Sequence, residues 1–254
     1  MESRSQSKQK MHKVTMALLM AAGMGTRIRP LSEETPKPLI RVRGTPMIES
    51  LLEAISMAGI PKVIITVGYK KDKYLYLKEK YENITIVENT EYMIKNTISS
   101  FYAAKDYLRN ENCLICESDL YISDPSVIKG EIDKSRYLIR NVSAQNYEWG
   151  FHLENDQIRE VVRPRPDVFL DHHMYGISYW LNNDLERLIS AVDASYHNAE
   201  YAQLAYDEVA NEIFDEIDMG VIRVKDGQLH EIDCLHDLVK VDPSYEIYLN
   251  KTNN

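Results

Sequence analysis

The hydrophobic pattern divides the chain into two kinds of segment. Residues 17–22 form a continuous apolar run of the sort that makes a strand buried on both faces, and it ends at Gly23 and Gly25. Residues 40–42 read as a short extended piece, and 46–58 as a helix with Pro46 at its start and Gly59 past its end. Strands at 62–67, 84–87 and 113–116 then alternate with helices at 72–81 and 97–108. Such alternation predicts parallel strands joined by helical crossovers, with ligands gathered at the strands' carboxyl ends.

The second half changes period. Strands are expected at 137–142, 149–153, 157–162 and 174–180 with shorter links, and helices at 185–194 and 202–214. Residues 229–233 alternate in direction, so Glu231 and Asp233 face one side of a strand. The expected fold class is α/β: a Rossmann-like mixed, mainly parallel sheet flanked by helices, with a smaller antiparallel portion in the second half. We expect one domain, 14–254, preceded by a mobile polar tail, 1–13.

The break after the first apolar run carries the chemistry. Glycines at 23 and 25 let consecutive backbone N–H groups turn toward one concavity, and Arg27 and Lys37 add positive charge to the same loop. Pro30, Pro36 and Pro38 stiffen it, which lowers the cost of ordering it around a highly charged ligand. The loop reads as a polyphosphate site. Ile28 stands where a dinucleotide fingerprint needs its third glycine, and the Gly-Lys-Ser/Thr ending of a Walker A loop is absent.

Composition narrows the partner. The net charge is −9, from 30 Lys plus Arg against 39 Asp plus Glu, which argues against nucleic acid or an anionic membrane surface. Five basic residues nonetheless fall between Arg27 and Arg43, which suits a small anion. Lys8, Lys10 and Lys13 before the apolar run imitate a signal peptide, but cleavage there would destroy the glycine loop. Cys113, Cys116 and Cys234 form no disulfide framework, and on a strand the CxxC pair points to opposite faces, against a zinc or redox site. A cytoplasmic protein is expected. Met and Tyr are abundant but scattered, and they leave the oligomeric state open.

The stretch Ala21-Ala22-Gly23-Met24-Gly25-Thr26-Arg27 to Pro30-Leu31, followed by Pro36-Lys37-Pro38-Leu39, resembles the signature of the nucleotidyltransferases that activate sugar phosphates and phosphorylated alcohols. Chain length and the second half are most similar to the bacterial CTP:phosphocholine cytidylyltransferases and their relatives acting on 2-aminoethylphosphonate. The resemblance implies a nucleotide-binding half, 14–135, and an acceptor-binding half, 136–254. It implies that Ala21, Ala22, Gly23, Gly25, Thr26 and Asn96 bind the nucleotide, with Asn96-Thr97 reading the base. Arg27 and Lys37 become the catalytic cations, Arg27 on the β- and γ-phosphates and Lys37 between the α-phosphate and the incoming phosphate. Asp119 and Asp233, with Glu231 in support, become ligands of Mg²⁺.

Trp149, Tyr206 and Asp207, with Glu148, are implied as a pocket for a cationic acceptor, since an aromatic face and a carboxylate both attract an ammonium. CTP enters only through the resemblance. Ala205 departs from the more aromatic patch expected of a phosphocholine enzyme, and Glu117-Ser118-Asp119-Leu120 resembles the phosphonate-activating relatives; a thinner cage suits a primary ammonium. Arg163-Pro164-Arg165-Pro166 and His172-His173 read as surface turns or strand ends. Two other functions fit the same signature: a sugar-1-phosphate nucleotidyltransferase, and a nucleotide-sensing module without catalysis.

Overall fold

Met16–Ala21 (β1) lies mid-sheet because both of its faces are apolar, and all six of its residues are buried. In this computed structural model, which describes residues 10–142 and 148–252, it is joined by β2 (Val63–Val67), β3 (Ile84–Glu88) and β4 (Cys113–Glu117). The second half adds β5 (Arg136–Asn141), β6 (Gly150–Glu154), β7 (Gln157–Val162), β8 (His172–Trp180) and β9 (Gly220–Arg223). All belong to one nine-stranded sheet, in the order β6-β7-β9-β5-β8-β4-β1-β2-β3.

The run from β3 to β4 is parallel throughout. β8 is inserted antiparallel between β4 and β5, β9 runs parallel to β5, and β7 and β6 close the far edge antiparallel. The antiparallel portion therefore continues the nucleotide-side sheet and shares its core. α1 (Met47–Met57) covers one face, burying Ile48 and Leu51 against Leu19 and Ile65. α2 (Ile98–Leu108) and α3 (Asn182–Ser195) cover the other, where Phe101 and Leu185 meet Ile115 and Trp180. Cys113 and Cys116 fall in these opposite cores, both free, as strand alternation requires.

Some expectations give way to tertiary contacts. The helix expected at 202–214 is Tyr206–Val209 followed by two 3₁₀ turns. Its start is set by the Glu208 carboxylate accepting the Ala205 N–H at 2.8 Å, and Asn211 is drawn to β7, where its Oδ1 accepts from Val161 N at 2.7 Å. The helix at 72–81 likewise divides at Tyr74, which is buried with its hydroxyl donating to Ala21 O. Residues 1–9 of the expected tail lie outside the described residues, but His12–Lys13 is a strand paired with Glu131–Ile132. His172 and His173, read as a surface turn or strand end, do open β8, but they are buried there, at 3% and 5% exposure.

Candidate active site

Gly25 sets the first part of the site. It adopts φ 60°, and a Cβ there would stand 2.8 Å from Lys37 Cβ, so only glycine permits the loop to close on that lysine. Ile28, Ile40 and Met47 pack with Ile232 and with Leu235 of α4 (Leu235–Val241), which fastens the loop to the end of the chain. Lys37 is held between them and is 7% exposed.

The second part comes from a short pairing outside the main sheet. Leu120–Ile122 lies antiparallel to Leu229–Glu231, and the ladder ends with Ile232 N donating to Asp119 O at 3.0 Å. This backbone bond sets Asp119 and Asp233 side by side. Lys37 Nζ bridges them, 2.9 Å from Asp119 Oδ2 and 3.0 Å from Asp233 Oδ1, although these partners are 82 and 196 residues away along the chain. Arg27 grips Asp233 with both terminal guanidinium nitrogens, at 2.9 and 2.8 Å. The Arg27 side chain is 68% exposed, so this pair is worth only about 0–1 kcal/mol, and Arg27 is free to move to a phosphate.

Acid is in excess here. Burial by itself would lower the Lys37 pKa, but Asp119 and Asp233 outweigh it and raise it. Burial, then the charge of Asp119, raises Glu231 well above the carboxylate range and Glu117 to about 8. Glu148 is also raised, by burial and then by Asp233. Asp119 Oδ1 is buried without a hydrogen-bond partner, so one oxygen of this carboxylate has capacity for a further cation. Two adjacent carboxylates facing the glycine loop suit Mg²⁺, which takes one or two carboxylates and completes its shell with other oxygen ligands and water. Among the described residues no three acidic, His or Cys side chains form a ready-made metal cage.

A cleft of about 580 Å³ opens at the carboxyl ends of β1 and β4. Of the residues expected in the site, Ala21, Ala22, Gly23, Gly25, Thr26, Arg27, Lys37, Asn96, Asp119, Glu148, Trp149, Glu231 and Asp233 all line it. Asn96 is committed at both ends of its amide: Oδ1 accepts from Thr97 N and Nδ2 donates to Gln203 O, so it braces the start of α2. The Trp149 ring carries Arg163 over its face at 5.3 Å, and Arg163 in turn pairs with Glu208. Pro164 reaches the cleft, which makes that segment part of its wall.

Tyr206 and Asp207 do not line the cleft. Tyr206 is 1% exposed, stacked on Phe101 with centroids 5.5 Å apart, and its hydroxyl shares a hydrogen bond with Ser178. Asp207, 2% exposed, accepts from the Tyr137 hydroxyl at 2.7 Å. Both face inward because the start of their helix packs on α2, with Tyr206 N donating to Thr97 Oγ1. The reading missed Glu117, Met174 and Gly176, which line the cleft. Glu117 was visible as the second acid of the strand end; Gly176 inside an apolar strand offered only the general signal of a close approach.

Burial raises the Asp207 pKa from 3.8 to about 6 despite the Tyr137 hydrogen bond. A folded-state value above the unfolded one means that stability is lost as pH rises through that interval. Relative to Asp207→Asn, the wild type is expected to lose stability between pH 4 and 6 and to hold a constant difference above that, as read from urea midpoints at each pH. Parallel curves would show that Asp207 titrates normally.

Residues 16–137 match the family model described as nucleotidyl transferase. Over 92% of its length the chain is 40% identical to the 2-aminoethylphosphonate cytidylyltransferase of Lancefieldella rimae, covering 94% of that protein. The chain belongs to the nucleotidyltransferase family. It is also 30% identical to the choline-phosphate cytidylyltransferase of Streptococcus pneumoniae, over 89% of this chain and 96% of that one. A solved CTP:phosphocholine cytidylyltransferase from the same organism superposes with a TM-score of 0.82 at 29% identity, over 91% of this chain and 99% of the other. In this nucleotidyltransferase eight of the signature residues, among them Gly23, Gly25, Arg27 and Lys37, thus line one cleft at the carboxyl ends of the parallel strands.

Proposed function

We propose that the enzyme is a Mg²⁺-dependent cytidylyltransferase that moves CMP from CTP to the phosphonate of 2-aminoethylphosphonate or a closely similar amine-bearing acceptor, releasing pyrophosphate. The observation that carries the reading is Lys37 bridging Asp119 and Asp233 at the mouth of the glycine loop. Both reactants are anionic, so catalysis consists mainly of positioning and charge neutralisation. The backbone of 23–25 and Arg27 bind the β- and γ-phosphates. Lys37 follows the α-phosphate and the attacking oxygen, which is already ionised on a phosphate or phosphonate and needs no general base. Asp119 and Asp233 would hold Mg²⁺, which would supply neutralisation of negative charge on the triphosphate.

The choice of acceptor is supported by the wall beyond Lys37. With Tyr206 in the core and Arg163 over Trp149, that wall offers carboxylates rather than an aromatic cage. Carboxylates accept hydrogen bonds from a primary ammonium, whereas a trimethylated one depends on aromatic faces. The relative at 40% identity is named for this phosphonate, which supports the same choice. Among the described residues no helix is long and apolar enough to cross a membrane. Free cysteines and the use of CTP fit the cytoplasm.

Pyrophosphate release with CTP and Mg²⁺ tests the reading across 2-aminoethylphosphonate, phosphoethanolamine, phosphocholine and glucose-1-phosphate. The expected kcat/KM is highest for 2-aminoethylphosphonate, by about tenfold or more over phosphocholine. Turnover with the sugar phosphate alone, or with no acceptor under any nucleoside triphosphate, would overturn it.

A further inference from the structure

β4 ends in an acid that the chemistry above does not use. Glu117 lines the cleft, and its side chain lies against Gly176 of β8. A Cβ on Gly176 would stand 2.7 Å from Glu117 Cγ and 2.8 Å from Oε2. Glycine inside a strand weakens it, and here it leaves the room that the carboxyl occupies. Among the described residues this carboxyl takes no hydrogen bond, while the nearby Tyr137 and Tyr206 hydroxyls are engaged with Asp207 and Ser178. Ser118, 2% exposed and lining the same cleft, has an Oγ without a partner. Two adjacent polar side chains left unpaired on one wall point to partners supplied by a ligand. That ligand is a cation with N–H donors, because Asp119, Asp207 and Asp233 stand close to Glu117 and Lys37 is the cation that opposes them.

We infer that Glu117 is a specificity-determining residue that accepts a hydrogen bond from the primary ammonium group of the acceptor, with Ser118 Oγ accepting a second. The inference rests on the amine-bearing acceptor proposed above. A two-carbon spacer places the ammonium close to the phosphonate, and Glu117 is a neighbour of Lys37, the residue that holds the phosphonate. Carboxyl and hydroxyl together recognise N–H groups, which a quaternary ammonium lacks.

The test compares 2-aminoethylphosphonate with ethylphosphonate, which lacks the amine, in the wild type, Glu117→Gln and Gly176→Ala. Glu117→Gln is expected to raise the KM for the amine by about tenfold or more and to reduce its preference over ethylphosphonate by the same factor, with the KM for CTP within about twofold. Gly176→Ala keeps the carboxyl but displaces it, and it should shift the same ratio in the same direction. CTP binding by calorimetry identifies folded variants, and the assignment stands or falls on those. An unchanged preference in a folded variant, or a rise in the KM for CTP instead of the acceptor, overturns the role of Glu117 alone. A wild type that turns over no amine overturns the acceptor reading and this role with it.

Discussion

Lys37→Ala is expected to lower kcat by about 10³-fold while CTP still binds, because the lost group acts on charge that develops during transfer. In the resting site Lys37 Nζ also neutralises two carboxylates at 2.9 and 3.0 Å, in a cleft already rich in acid. Asp233 keeps Arg27, but removing Lys37 leaves the Asp119 carboxylate uncompensated, at a cost on the order of 3 kcal/mol. The variant should therefore melt lower than the wild type and regain more of that loss when Mg²⁺ is added without nucleotide, since the metal then meets no competing ammonium. Pyrophosphate release, isothermal CTP binding and melting with and without Mg²⁺ are the three readouts. Full activity would remove Lys37 from the chemistry; melting insensitive to Mg²⁺ would remove the metal from this pair of carboxylates.

Asp119→Asn is expected to cost about 10²–10³-fold in kcat and to act on the metal in the opposite sense. An amide keeps the shape and an acceptor for Lys37 but loses the charge that a hard divalent cation requires. Titration with Mn²⁺ in the presence of CTP should show affinity at least about tenfold weaker than in the wild type. The fold should survive, because the bond that unites the two halves of the site uses the Asp119 main-chain carbonyl and not its side chain. Wild-type Mn²⁺ affinity in a folded variant would place the metal elsewhere.

Much of this protein could be read along the chain. The parallel half was legible because each strand there is a short apolar run stopped by a turn, and the glycine loop because its glycines and cations are close in sequence. Glu231 and Asp233 were legible as a pair, and both line the cleft, although the strand expected over 229–233 ends at Glu231 and Asp233 is placed by the bond from Ile232 N to Asp119 O. The fate of Tyr206 and Asp207 was not. Their local sequence is compatible with either a cleft wall or a core, and the choice fell to contacts with Phe101, Tyr137 and Ser178 from other elements.

Local order along the chain by itself determined the α/β class, the glycine loop and the identity of the charged residues, because each depends on neighbours a few positions away. Tertiary structure alone decided that β8 enters the sheet antiparallel between β4 and β5, that Leu229–Glu231 docks on Leu120–Ile122, and that Lys37 therefore lies between Asp119 and Asp233. Those contacts join segments far apart in sequence, and what selects them is the burial of whole faces and the pairing of backbone groups, which no single stretch of the chain contains.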